Sequence, residues 1–275
     1  MKEVVIKPGQ TQKNYWSDIW SFRELLVILA LRDITVRYKQ TSLGVLWAVV
    51  RPIITMLVFV FAFHKVAKIQ DKSGIDYSVI IFSGILIWNF FATSFQQVSN
   101  SITGNSNLIS KVYFPRLIMA VASISVALVD FLVGLCVFVV LMMFNGIFPS
   151  WNFLLIPFFL IIAALGAFSL GLIFAVLNVR YRDFQQIVPL VIQYGFFVCP
   201  VAYSIVSLQE NSWFEYYQLL NPIAGIIEGF RWATIPNYPY FHWNTFFTPL
   251  VFVIISSVFS LYFFRKKENS FVDHI

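Results

Sequence analysis

The chain has 275 residues, of which 59% are hydrophobic and only 12% charged, with a mean hydropathy of +0.77. A soluble domain runs at roughly 45–50% apolar and about 25% charged, so a water-soluble fold is excluded. The formal net charge of +6 forms no basic stripe interleaved with aromatics outside the apolar runs, which argues against nucleic acid as a partner.

Residues 1–20 carry Lys2, Glu3, Lys7, Pro8, Lys13 and Asp18 with no apolar core behind them, which is not the pattern of a cleaved signal peptide. Residues 19–40 are apolar enough to enter a membrane, but their uninterrupted core, 25–31, is too short to cross. Phe22, Leu25, Leu26 and Leu29 fall at helical spacing among Arg23, Glu24, Arg32, Asp33, Arg37 and Lys39. The pattern predicts an amphipathic helix in the head-group layer, serving either as simple anchorage or as a docking surface for a soluble partner.

Six apolar runs follow, at 43–64, 78–99, 117–144, 153–177, 187–206 and 245–264. Each is long enough to cross about 30 Å of hydrocarbon as a helix, and none alternates with the period of a barrel strand. Pro52 is expected to bend the first, and the length of the third predicts tilt or projection beyond the bilayer. Small residues at 123, 127 and 134 in the third run and at 163, 167 and 171 in the fourth mark helix contacts. Cys136 and Cys199 lie inside apolar runs, where packing is expected rather than a disulfide or metal site. Between the last two runs, residues 218–232 are apolar but broken by Asn221, Pro222, Gly225 and Gly229. This reads as a re-entrant segment lining the outer mouth of a pathway, or as a cap folded on the spans.

Basic residues orient the chain. Lys2, Lys7, Lys13, Arg23, Arg32, Arg37 and Lys39 precede the first span, Lys111 and Arg116 lie in the second loop, Arg180 and Arg182 in the fourth, and Arg265, Lys266 and Lys267 in the tail. The odd-numbered loops hold only Lys65, Lys68, Lys72 and Arg231, so both termini are expected in the cytoplasm. Arg51 and Asp130 lie within predicted spans, where a charge faces the bundle interior or water. Two such groups do not make a proton relay, and structural pairing or snorkelling competes with a coupling role. With 31 Phe, 12 Tyr and 8 Trp, most aromatics face lipid or the interfaces. Trp47, Trp88, Phe90, Phe91, Tyr194, Phe196 and Phe197 fall within or beside the spans and are candidates to line a channel whose ring faces let a glycan slide.

No phosphate-cradling loop, zinc motif or nucleophile elbow is present, so no catalytic residue, metal or cofactor is assigned to this chain, and the energy for transport against a gradient is expected from another subunit. Five short motifs then point to a family. They are Arg32-Asp33-Ile34-Thr35-Val36-Arg37-Tyr38-Lys39 leading to Leu43-Gly44-Val45-Leu46-Trp47 and Arg51-Pro52; Lys111-Val112-Tyr113-Phe114-Pro115-Arg116; Leu177-Asn178-Val179-Arg180-Tyr181-Arg182-Asp183; Cys199-Pro200-Val201-Ala202-Tyr203; and Asn221-Pro222 with Glu228-Gly229-Phe230-Arg231. In this order the chain resembles the membrane subunits of ABC-2 type exporters of O-antigen and teichoic acid polysaccharides. Arg51 stands where those relatives often carry an uncharged residue.

The resemblance implies an all-α polytopic membrane protein with six transmembrane helices. The chain would form one domain over 1–275, with a cytoplasmic segment at 1–42, the spans at 43–264 and a tail at 265–275. It also implies a homodimer in the bacterial inner membrane, joined to two copies of an ATPase subunit that holds ATP and Mg, moving undecaprenyl-linked polysaccharide. Arg32, Asp33, Arg37, Tyr38, Lys111, Phe114, Arg116, Arg182 and Asp183 would contact the ATPase, and Asn221, Pro222, Glu228 and Arg231 would form an outer gate. An ABC-2 exporter of a drug or other lipid, and a membrane-embedded glycan-assembly enzyme or ATP-independent flippase, are the alternatives.

Overall fold

The computed structural model describes residues 15–39, 44–66, 74–181, 183–208, 213–239, 243–268 and 271. Within them the chain is helical with no strand, in the order α1 (Tyr15–Ser21), α2 (Arg23–Lys39), α3 (Leu46–Phe59), α4 (Tyr77–Asn100), α5 (Ser106–Ile109), α6 (Leu117–Phe144), α7 (Ile156–Arg180), α8 (Phe184–Val198), α9 (Phe214–Leu220), α10 (Pro222–Thr234) and α11 (Trp243–Lys267). A π-helical stretch, Val60–Val66, prolongs α3. Among the described residues five helices are long and apolar enough to cross a membrane, namely those of the first, second, third, fourth and last predicted runs.

The run predicted at 187–206 is helical only through α8, whose 15 residues reach about 22 Å at roughly 1.5 Å per residue. Its cap at Cys199 is extended and Pro200 follows. Hydropathy does not register this break, because Val201, Ala202, Ile205 and Val206 continue the apolar run.

The helices pack as a row, α11 on α7, α7 on α4, α4 on α6 and α6 on α2, with α3 and α8 against α4. Helix α4 is the axis of the fold, with nearly every residue from Tyr77 to Ser99 buried. The small-residue stripes predicted in the third and fourth runs are buried, and each meets α4 at its glycine, Gly134 against Leu86 and Gly171 against Val98. Ser123, Ala127 and Gly134 are buried on α6, and Ala163, Ala167 and Gly171 on α7. At Gly171 a methyl group would sit 2.6 Å from Val98 Cβ, so only glycine permits this approach. By contrast α3 and α11 turn Ile54, Leu57, Val58, Ile254, Ile255 and Val258 outward. Exposed apolar faces on helices of this length belong in lipid, and the chain is an integral membrane protein.

Two ends of the bundle differ. At one, α1, the start of α6 and the end of α11 share an apolar cluster with the ends of α4 and α7. At the other, α10 packs among α4, α7 and α11. At the first end Leu117, Ile118, Met119, Ala120 and Ala122 of α6 share the cluster with Leu25, Leu26 and Leu29 of α2. Helix α2 therefore runs along α6 rather than lying detached on a surface.

Candidate functional site

The arrangement of α2 beside α6 brings together charges that are far apart in sequence. Asp130 lies 13 residues into α6, about 20 Å from its start, and the end of α2 reaches it. Arg37 Nη2 donates to Asp130 Oδ2 at 2.5 Å and the Tyr38 phenol donates to Asp130 Oδ1. The ion-pair partner of Asp130 is thus Arg37 of α2 rather than Arg51, the other charge predicted within the spans.

Arg51 instead lies over the Trp47 ring, 5.5 Å from its centroid. Both line a cavity of about 550 Å³ between α3, α4 and α6, together with Arg37, Tyr38, Asn89 and Asp130. Phe90 and Phe131, which stand edge-on to one another, also line it. The cavity thus presents guanidinium groups and an aromatic face beside an apolar wall. Guanidinium groups of this kind can bind an anion, and an aromatic face beside them offers apolar contact.

At the opposite end, the break after α8 leaves backbone carbonyls without helical partners, which is tolerated in a membrane protein only where other protein groups satisfy them. Here α10 does so. Arg231, with no exposed side-chain surface, donates to Glu228 Oε1 at 2.8 Å, Val201 O at 2.9 Å, Tyr203 O at 3.0 Å, Ile80 O at 3.0 Å and Ser83 Oγ at 3.3 Å. Glu228 accepts in turn from the Ile205 N–H at 3.1 Å and from the Tyr238 phenol at 2.7 Å. The Tyr77 phenol donates to Ala202 O at 2.8 Å. Asn221 caps α10 by accepting the Ala224 N–H at 3.2 Å, with Pro222 at the first turn, and the Tyr217 phenol donates to Val198 O at 2.8 Å.

The segment after α8 passes so close to α4 that a Cβ on Gly84 would lie 2.4 Å from Val201 O and 2.7 Å from Arg231 Nη2. Three of the four gate candidates, Asn221, Glu228 and Arg231, thus join one buried polar network that fastens the broken helix to α4 and α10. Tyr77, Ser83, Gly84, Tyr217 and Tyr238 belong to the same network. They were missed because their partners are far away in sequence.

The remaining candidates divide. Trp47 and Phe90 line the cavity. Trp88, Phe91 and Phe196 pack between helices. Phe196 lies 5.1 Å from Phe59 and 6.3 Å from Trp88, and Trp88 lies 5.8 Å from Phe91. Tyr194 and Phe197 are exposed on α8. Among the docking candidates, Arg32 pairs with Asp33 at 2.8 Å and donates to Asn105 Oδ1 at 2.8 Å, which ties α2 to the second loop. Arg37 and Tyr38 are turned inward. Lys111 is exposed and Phe114 buried, both beside a smaller cavity of about 280 Å³ that Arg116 also lines. Asp183 is exposed, and Arg182 lies outside the described residues. Asn178, from the same motif, is structural, its side chain donating to Ser99 O at 2.8 Å.

The sequence profile of the ABC-2 type transporter family matches residues 24–235. The O-antigen export system permease protein RfbA of Klebsiella pneumoniae is 30% identical over 251 residues, covering 89% of this chain and 94% of that protein. The protein of the same name from Myxococcus xanthus is 29% identical over 214 residues, 78% of this chain and 81% of that one. The polysialic acid transport protein KpsM of Escherichia coli is 24% identical over 214 residues, 76% of this chain and 81% of its own.

Proposed function

The chain belongs to the ABC-2 type transporter family, and from that premise we propose that it is the membrane permease subunit of an ATP-driven exporter of lipid-linked polysaccharide. The observation that carries this reading is the match at 30% identity along 94% of an O-antigen export permease, a near full-length likeness in sequence. The permease works as a homodimer in the bacterial inner membrane with both termini in the cytoplasm. Two copies of a separate ATPase subunit bind ATP and Mg and supply the energy.

The cavity beside α3 supports the reading chemically. A polyprenyl-linked glycan carries phosphate next to sugar and hydrocarbon. Arg51 and Arg37 suit the phosphate, and Trp47 the apolar face of a sugar. ATP-driven change reaches the permease only through contacts that differ between two states, and Lys111 and Asp183 are exposed where a cytoplasmic partner meets the second and fourth loops.

Affinity purification of the tagged chain from its native membrane tests the assignment. The expected result is co-purification of an ATPase whose turnover rises with lipid-linked glycan, and no glycan transfer into liposomes by the chain alone. Transfer by the chain alone, or a purified preparation with no ATPase, refutes it.

A further inference from the structure

At the α1 end three chain segments far apart in sequence meet on one carboxylate. Glu268, one residue beyond α11, accepts the backbone N–H of Arg116 at 3.0 Å and the Tyr15 phenol at 3.3 Å, both on Oε1. Arg116 occupies the N-cap position of α6 and makes no cap bond with its own side chain. The first N–H groups of a helix lack intrahelical acceptors, and a carboxyl oxygen placed there satisfies one of them. Glu268 therefore supplies, from 152 residues away, an acceptor that the local sequence omits.

The surroundings make this a built junction. The Arg265 guanidinium lies 4.2 Å from the Tyr15 ring centroid and that of Arg116 lies 5.7 Å from the Phe271 ring. Phe271 is 1% exposed and stands edge-on to Phe264. Tyr15, Phe114 and Leu117 are buried in the same cluster. Chain ends are ordinarily solvated unless something ties them down, and here the tie reaches both α1 and the second loop.

We propose that Glu268 is the positioning residue that fixes α1 and the second loop against the start of α6, so that these parts move as one unit. The fastening stands on geometry alone, whereas its consequence for transport rests on the export reading. Hydrogen exchange on the full chain in lipid nanodiscs, comparing wild type with Glu268→Ala and Glu268→Gln, separates the two.

Glu268→Ala removes the acceptor, and exchange at Arg116 and across α1 is expected to rise about tenfold or more. Glu268→Gln keeps a carbonyl oxygen and is expected to stay near wild type. Unchanged exchange at both places in Glu268→Ala, or a rise shared equally by α4 and α7, overturns the proposal. In the complex with the ATPase, Glu268→Ala should lower the ratio of glycan-stimulated to basal turnover, with Glu268→Gln restoring it. Raised exchange with unaltered coupling overturns the positioning role and leaves the export reading intact. A preparation without any ATPase defeats the export reading, while the exchange result still decides the fastening.

Discussion

Replacing Arg231 by methionine keeps a long, flexible side chain and removes every donor. Five acceptors lose a partner, namely Glu228 Oε1, Ser83 Oγ and the carbonyls of Ile80, Val201 and Tyr203. Removing one member of a buried ion pair costs about 3–5 kcal/mol, because the survivor is left as an uncompensated charge. Each orphaned buried acceptor adds about 1 kcal/mol or more, though such terms do not simply sum. The expected loss is thus about 5 kcal/mol, a large part of a total stability of about 5–15 kcal/mol. Arg231→Met should therefore reduce folded protein sharply, read as yield of a monodisperse peak on size-exclusion chromatography and as a shifted midpoint in denaturant. In the double variant Arg231→Met with Glu228→Leu no buried charge remains, so part of the loss should return. An Arg231→Met protein with a wild-type midpoint, or a double variant no better than the single one, would refute the claim that this pair holds the broken helix.

Three further outcomes follow from the same geometry. Gly84→Ala should destabilise by about 1–3 kcal/mol through overpacking against Val201 and Arg231, whereas Gly104→Ala, whose added methyl meets nothing within 4 Å, should leave the unfolding midpoint in place; equal midpoints would count against the close approach. Asp130→Asn and Arg37→Gln should each lower export at unchanged protein level, and the double variant should lose little more than either single one because the two groups act together; fully additive losses would show that the pair does not act as a unit. Burial raises the Glu268 carboxyl above the ordinary glutamate range, against the opposing effect of the Arg116 N–H, the Tyr15 phenol and the Arg116 and Arg265 charges. Between the unfolded and the folded value the folded chain binds this proton more tightly than the unfolded chain does. The stability from this group is full below about 4.3, the unfolded value, and is lost as pH rises through the folded one. Denaturant midpoints of wild type relative to Glu268→Gln should thus rise on acidification from neutral pH, and a difference independent of pH would contradict this.

What was legible in the sequence was what depends on local pattern. The long runs at 78–99, 117–144 and 153–177 became α4, α6 and α7 because apolar length alone forces a helix across lipid. The stripes at 123, 127 and 134 and at 163, 167 and 171 faced a neighbour because small residues serve that purpose there. Where contacts are distant, one sequence carried less. Pro200 was a usable sign that α8 stops, yet nothing local showed that Arg231, thirty residues on, would take up the freed carbonyls. Asp130 was recognisable as a costly charge, but its partner depends on α2 running along α6, and Arg37 appeared as one basic residue among seven and as a docking candidate, not as the partner of an acid in a span. Glu268 follows Arg265, Lys266 and Lys267 with no local feature that marks it as the acceptor of a distant helix start.

The two buried polar clusters differ in a way that bears on their roles. Arg231 and Glu228 are 0% and 3% exposed at the side chain; Arg231 donates to three backbone carbonyls, and Glu228 accepts one backbone N–H and the Tyr238 phenol. A network this fully satisfied in a low-dielectric setting is rigid, and any change in it first costs the fold. Arg37 and Asp130 are 33% and 21% exposed and open onto the cavity that Arg51 and Trp47 share. Charges left within reach of a cavity retain capacity for another ligand, and their pairing is weaker and more easily exchanged. Substitutions in the first cluster should therefore remove the protein, whereas those in the second should leave it in the membrane with altered transport. Reversal of that pattern would mean that the rigid end, not the cavity, is where the cargo is handled.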